Sequence, residues 1–158
     1  MKGNEKVIET LNSLLSDELT AINQYMVHAE MDDNWAYDRL AEVVEKRAIV
    51  EMRHAEKLIE RILFLEGTPV VSNLNKINIG AVVEKQFEND WQAEFDAIKA
   101  YNEAIKLSSE AGDNGTEHIL KLILADEEDH IDWIEAQKDQ VSQIGIQNYL
   151  ALQIKEED

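Results

Sequence analysis

Two Glu-x-x-His elements stand in the chain, Glu51-Met52-Arg53-His54 and Glu127-Glu128-Asp129-His130. On a helix, positions i and i+3 lie about 60° apart in projection, so each pair can approach one metal ion. A single such element would be unremarkable among 33 acidic residues and 4 histidines. The wider spacing is more specific. Glu18 precedes Glu51 by 33 positions (51 − 18), and Glu94 precedes Glu127 by the same 33 (127 − 94). One shift of 76 therefore carries Glu18, Glu51 and His54 onto Glu94, Glu127 and His130. The same shift aligns Glu18-Leu19-Thr20-Ala21-Ile22-Asn23-Gln24-Tyr25 with Glu94-Phe95-Asp96-Ala97-Ile98-Lys99-Ala100-Tyr101. That is a cryptic internal repeat in which each half supplies half of a pseudo-symmetric site.

Glu18 neighbours Leu19 and Ile22, and Glu94 neighbours Phe95 and Ile98, so both carboxylates fall on or beside core-facing stripes. A buried, unpaired carboxylate either takes a proton or finds a cation. Four glutamates with two histidines, oxygen-rich and one nitrogen to each metal, suit a redox-capable pair such as iron or manganese. The competing reading is a set of ordinary solvated glutamates. Tyr25 and Tyr101 lie two turns beyond Glu18 and Glu94 on the same faces, where they are expected to hydrogen-bond the ligating carboxylates of the opposite half. Plain amphipathic packing is the alternative for both.

Long helices must hold these residues. The chain has 1 proline and 6 glycines, most of them at apparent boundaries, which predicts an almost wholly helical protein. Asn4 can cap a first helix, over about 5–33, whose apolar residues Val7, Ile8, Leu11, Leu14, Leu15, Leu19 and Ile22 recur at steps of three and four. A second is predicted over 35–66, stopped by Gly67-Thr68-Pro69. Val70 to Gly80 lacks a helical stripe and reads as an extended crossover. Two more helices follow over 81–111 and 116–144, and a short fifth over 146–153. The expected fold is all-α, a ferritin-like four-helix bundle with one long crossover and a short C-terminal helix, forming one domain over 1–158. The fifth segment is too short to add much to a four-helix core and is expected to pack elsewhere.

Bulk composition fits this and narrows the partners. Hydrophobic residues make up 44% and charged residues 30%, a globular balance. No cysteine is present, which removes disulfides, thiolate zinc sites and iron–sulfur clusters, and agrees with a reducing, cytoplasmic setting. The opening residues show no apolar leader and no stretch is long enough to span a bilayer, so neither secretion nor a membrane is expected. A net charge of −18 repels nucleic acid and attracts cations.

Glu18, Glu51-x-x-His54, Glu94 and Glu127-x-x-His130 resemble the ferroxidase centre of bacterioferritins, without gaps in the spacing. The likeness extends through Met1-Lys2-Gly3, Ala21-Ile22-Asn23-Gln24-Tyr25, Ile59-Glu60-Arg61-Ile62-Leu63-Phe64-Leu65-Glu66-Gly67, His130-Ile131-Asp132-Trp133 and Gln147-Asn148-Tyr149-Leu150. It implies a ferroxidase that oxidises Fe(II) with O2 or H2O2 and stores ferric mineral in a homo-oligomeric 24-mer shell built from two-fold dimers. It further implies two Fe per subunit at a di-iron centre, with Glu51 and Glu127 bridging, Glu18 and His54 on one metal, and Glu94 and His130 on the other. A b-type haem, one per subunit dimer, would be held by Met52 from each side and would assist electron transfer and iron release. Met52 lies about 130° around the helix from the bisector of Glu51 and His54, so it points away from the iron face. An ordinary apolar contact in a dimer interface is the other reading of Met52. A small ferredoxin is the electron donor that the resemblance suggests. Asn34, Glu66, Asp132 and Asp139 match pore-lining positions, the fifth helix would pack around a four-fold axis, and Trp133 and Tyr25 would be electron donors beside the metals.

One departure stands out. Where many such proteins carry histidine and acidic residues on the cavity side of the second helix, this chain has Lys46, Arg47 and Val50. Those side chains offer no metal ligand, which argues against a secondary iron site there. Two other readings stay open on sequence grounds: a non-storage di-metal oxidase or manganese catalase on the same bundle, and a metal-free structural helical assembly.

Overall fold

A computed structural model describes residues 1–156; the last two positions of the expected span 1–158 lie outside the described residues. The helices are α1 (Glu5–Asn34), α2 (Asp38–Phe64), α3 (Val83–Glu110), α4 (Asn114–Ile144) and α5 (Ile146–Ala151), with no strand among the described residues. Asn4 caps α1 as its sequence suggests, its side-chain oxygen accepting from the N–H groups of Lys6 at 2.9 Å and Val7 at 3.3 Å.

The sequence-derived boundaries shift by up to three residues, for local reasons. The chain reverses between α1 and α2 through Ala36 at φ 60, which delays α2 from 35 to Asp38. The reversal is closed by the N–H of Tyr37 on the Asp32 carbonyl at 2.9 Å. At its other end α2 stops at Phe64, not 66, because Glu66 takes a left-handed conformation (φ 62). There the Gly67 N–H reaches back to the Ile62 carbonyl and the Glu66 N–H to that of Leu63, satisfying orphan carbonyls of the last turn.

α1 packs chiefly on α2, α3 on α4, and the two hairpins meet through α1 and α3. Their apolar faces form two clusters. One gathers Leu11, Leu14, Leu15, Leu58, Ile62, Leu120 and Ile123; the other gathers Tyr25, Leu40, Val44, Phe87, Ile134 and Tyr149. Along α1 the buried Glu18 falls between the first set and Tyr25, and along α2 Glu51 falls between Val44 and Leu58. The carboxylates thus occupy a polar band between two apolar halves.

The crossover between α2 and α3 has no sheet partner, so its backbone groups must be satisfied by side chains. α1 supplies them in a row. Asn12 accepts from the Val70 N–H at 2.8 Å, Thr20 from Asn75 at 2.9 Å, Gln24 from Asn78 at 3.1 Å and the His28 Nε2 from Gly80 at 2.9 Å. Residues 12, 20, 24 and 28 share one helix face, which lays the crossover along α1. Gly80 is required where it is: a Cβ there would sit 2.3 Å from the Gln86 backbone nitrogen.

α5 departs from its expected place. Gly145, at φ 81, turns the chain back, and α5 buries Tyr149 completely against the core. Its ring meets Phe87 edge-on at 5.9 Å and its hydroxyl donates to Gln137 at 2.7 Å. The helix is short, but a buried aromatic ring brings about 150–250 Å² of contact area.

Asp32 is fully buried near the end of α1, and both of its oxygens lack a hydrogen-bond partner. Gln86 beside it leaves its Nε2 equally unpartnered. Burial raises the Asp32 pKa from 3.8 to about 7, with Asp90 adding to the rise and His28 and Gln86 opposing it. Because the folded pKa is raised, folding takes up a proton between those values. The stability that this group contributes is fully present below the unfolded value and is lost as pH rises toward 7. Asp32→Asn removes that loss, so its melting temperature should exceed the unaltered protein's above pH 7, by about 1–3 kcal/mol of stability. The gap should narrow steadily as pH falls to 5. Melting curves across that range check it; a gap that widens toward acid would show Asp32 ionised and favourably held.

Candidate metal centre

α1 and α2 contribute Glu18, Glu51 and His54; α3 and α4 contribute Glu94, Glu127 and His130. All six converge in the polar band, the four glutamates and His54 no more than 3% exposed. Two overlapping ligand groups result: Glu18, Glu51, His54 and Glu127, and Glu51, Glu94 and His130. Within each, the candidate ligand atoms lie within 4.8 Å of one another. Glu51 belongs to both.

The imidazoles face this centre through Nδ1. His54 Nδ1 lies 2.9 Å from Glu127 and 3.1 Å from Glu51, and His130 Nδ1 lies 2.7 Å from Glu94. His54 Nε2 is held by Asp126 at 2.9 Å, which orients the ring and reserves Nδ1 for the centre. Tyr25 donates to Glu94 and Tyr101 donates to Glu18, each hydroxyl crossing from one hairpin to a carboxylate of the other. Tyr25 also packs edge-on to His130 at 5.4 Å, and Trp133 stacks on the same ring at 6.2 Å.

Four carboxylates this close cannot all ionise, and the pKa values separate accordingly. Burial, together with repulsion from Glu51, pushes Glu18 and Glu127 well above the usual carboxylate range. Glu51 and Glu94 move down in spite of burial, because hydrogen bonds from Glu18 and His54 stabilise the first and those from His130 the second. Burial opposes protonation of His54, yet its bonds to Glu127, Glu18 and Glu51 win and push it up to about 12. One oxygen of each of Glu18, Glu51, Glu94 and Glu127 remains buried without a hydrogen-bond partner. Those of Glu51, Glu94 and Glu127 lie against the charge of Arg47, and with the imidazole nitrogens beside them the four carboxylates make a donor set that fits a divalent metal pair.

A cavity of about 220 Å³ reaches this centre beside the crossover, lined by Asp17, Thr20, Gln24, Asn75, Gln92 and Asp96 on the way to Glu18 and Glu94. Acidic and amide side chains predominate in its lining, although Lys76 is there too, and the Asp17 carboxylate accepts from Asn75 at 2.6 Å.

The ferritin-like domain model matches residues 8–144. A bacterioferritin of Brucella melitensis is 42% identical over 149 residues, which is 94% of this chain and 92% of the relative. Those of Rhodobacter capsulatus and Mycolicibacterium paratuberculosis are 41% and 40% identical, each covering 96% of this chain and 94% and 95% of their own. The chain belongs to the bacterioferritins.

The other positions singled out in the sequence scatter as members of a surface. Met52 is 41% exposed on α2, turned from the carboxylates, with Ile49 one turn earlier and equally bare. Asn34, Glu66, Asp132 and Asp139 are all exposed, as are Lys46 and, in part, Val50. Arg47 is the correction. Grouped from sequence with Lys46 and Val50 on the cavity side, it instead turns inward, its side chain only 10% exposed, with Nε 2.6 Å from Glu51. The signal was present: Arg47 stands one helical turn before Glu51, so the two share a face. Asp126 carries no such signal, since nothing local distinguishes it from other acidic residues. The buried His28–Asp90 pair, 2.9 Å apart, was also missed, because a lone histidine on an apolar face reads as core.

Proposed function

We propose that this chain oxidises ferrous iron at the six-residue centre and stores the ferric product inside a closed shell of its own copies. The observation that carries this is the pair of buried ligand groups sharing Glu51, in each of which the candidate ligand atoms lie within 4.8 Å of one another. Iron arrives as substrate through the polar cavity by the crossover. Glu18 and His54 hold one ion, Glu94 and His130 the other, with Glu51 and Glu127 between them. Metal competes with protons for the carboxylates and imidazoles of this centre, so binding weakens as pH falls. Each ferrous ion gives up one electron; dioxygen takes two with two protons to become hydrogen peroxide, or hydrogen peroxide takes two with two protons to become water. Tyr25 and Tyr101 hold Glu94 and Glu18 in place for this and exclude water from them. The domain runs over the whole span 1–158.

Assembly into two-fold dimers and a 24-mer is part of the same proposal. It is supported by Met26, Val27, Ile49 and Met52, large apolar side chains of α1 and α2 that one chain leaves bare. Met52, an exposed thioether beside the exposed Ile49, would hold a haem group there together with the same residue of a second copy. Haem bound so would supply an electron path for releasing stored iron. Met52→Leu should abolish haem uptake, seen as loss of its visible absorption, and leave the rate of iron oxidation unchanged; retained haem would show the ligand to be elsewhere.

The test of the function itself is stopped-flow absorbance after mixing metal-free protein with increasing ferrous iron in air. A fast phase saturating near about two irons per subunit, and missing from Glu94→Ala/Glu127→Ala, is the expected result. Absence of a fast phase in the unaltered protein would overturn the reading.

A further inference from the structure

Arg47 is the one cation inside the candidate metal centre that is neither a ligand nor needed by its symmetry. Its counterpart under the internal repeat is Ile123, an apolar core residue, so only one half of the centre carries it. The guanidinium lies with Nε 2.6 Å from Glu51, and with Nη2 3.2 Å from Glu127 and 3.6 Å from Glu94. These contacts are of charge more than of direction. Nε and Nη2 make no well-formed hydrogen bond, and neither do the facing oxygens Glu51 Oε1, Glu94 Oε2 and Glu127 Oε1. Only Nη1 is properly bonded, to the backbone carbonyl of Asp126 at 3.2 Å.

We propose that Arg47 is a resident counter-cation of the metal-free centre, occupying the charge position that incoming metal must take, so that its withdrawal is a step of loading. The inference rests on the centre being a metal site, as proposed above. Three carboxylates are shared between two possible owners. A fixed positive charge and a divalent ion cannot both sit within a few ångströms of them in a buried site, because their repulsion there is only weakly screened. Loading is therefore a competition. The side chain is still 10% exposed, and its one directed bond, from Nη1 to the Asp126 backbone carbonyl, is to none of the four carboxylates. Withdrawal therefore breaks charge contacts and need not break that bond. When iron departs into the mineral the same charge returns to Glu51, Glu94 and Glu127. Arg47 thus lowers affinity and favours a centre that empties after each oxidation.

The test is an oxygen-free titration of the metal-free assembly with Co(II), read by its visible d–d absorption and by heat. It compares the unaltered protein, Arg47→Gln and Glu94→Ala/Glu127→Ala. Arg47→Gln should bind Co(II) more tightly by about tenfold or more, which is about 1.4 kcal/mol, at the same stoichiometry. Equal or weaker binding at that stoichiometry would overturn the role of Arg47 and leave the metal centre standing. No saturable Co(II) binding in either protein, or binding undiminished in the double variant, would overturn both. The Co(II)-loaded structure of the unaltered protein decides independently of whether the variant folds: Arg47 should have left Glu51, Glu94 and Glu127, and a guanidinium still among them refutes the competition.

Discussion

Glu51→Ala is expected to empty both halves of the metal centre, whereas Glu18→Ala should empty only one. Glu51 is the residue common to the two ligand groups, and the second group, Glu51, Glu94 and His130, is complete without Glu18. Partners that merely orient ligands change metal affinity by about 10–100-fold when removed, so loss of a shared ligand should weaken both sites by more than about 100-fold. Co(II) titration should then show no site of normal affinity in Glu51→Ala and one in Glu18→Ala. The fast phase of iron oxidation, which needs both metals, should vanish in each. Glu51→Ala also frees Arg47 from its nearest partner, so its fold must be checked by melting before binding is compared. One Co(II) bound to Glu51→Ala with unaltered affinity would show that the halves do not share this carboxylate.

Tyr149→Ala should destabilise the chain far more than the length of α5 suggests. The ring is fully buried, meets Phe87 at 5.9 Å and lies in the same apolar cluster as Val44 and Ile134. Truncating a buried aromatic side chain costs about 3–5 kcal/mol, and the melting point of a chain of this size should fall by about 10 °C. Tyr149→Phe keeps the packing and loses only the bond to Gln137, a loss of about 1 kcal/mol. Hydrogen exchange provides the spatial check. In Tyr149→Ala, amides of α5 and of the Phe87 turn of α3 should lose protection together. Loss confined to α5, with an unchanged melting point, would mean that the helix frays without belonging to the core.

The consequence for function is one of division of labour along the bundle. The half holding Tyr149, His28 and Asp32 fixes the crossover and α5, and the half holding Leu11, Leu58 and Ile123 ties the hairpins together. Between them the ligands gain their geometry from elements that no single substitution at the centre has to support. A bundle arranged so tolerates an overcrowded carboxylate layer, because the apolar clusters on each side supply the stability that the layer lacks.

Much of this was legible in the sequence, for a physical reason that differs from residue to residue. The Glu-x-x-His pairs could be read because positions three apart on a helix are neighbours whatever the helix packs against. The repeat of 76 could be read because two hairpins that each supply half a site must carry the same residues in the same order. Asn4, Gly67 and Pro69 marked ends of helices through backbone chemistry alone. Tyr25 and Tyr101 could be placed on the ligand faces but not paired, since which carboxylate each hydroxyl meets depends on how the two hairpins lie across one another. The same holds for Asp126 on His54, for the row of α1 side chains under the crossover, and for Tyr149. Arg47 shows the limit most plainly. Its spacing of four from Glu51 offered one reading, but the resemblance grouped it with Lys46 and Val50 on the cavity side. Only the docking of the α3–α4 hairpin on the α1–α2 hairpin brought Glu94 and Glu127 within reach of its charge, because electrostatic attraction acts through space and not along the chain.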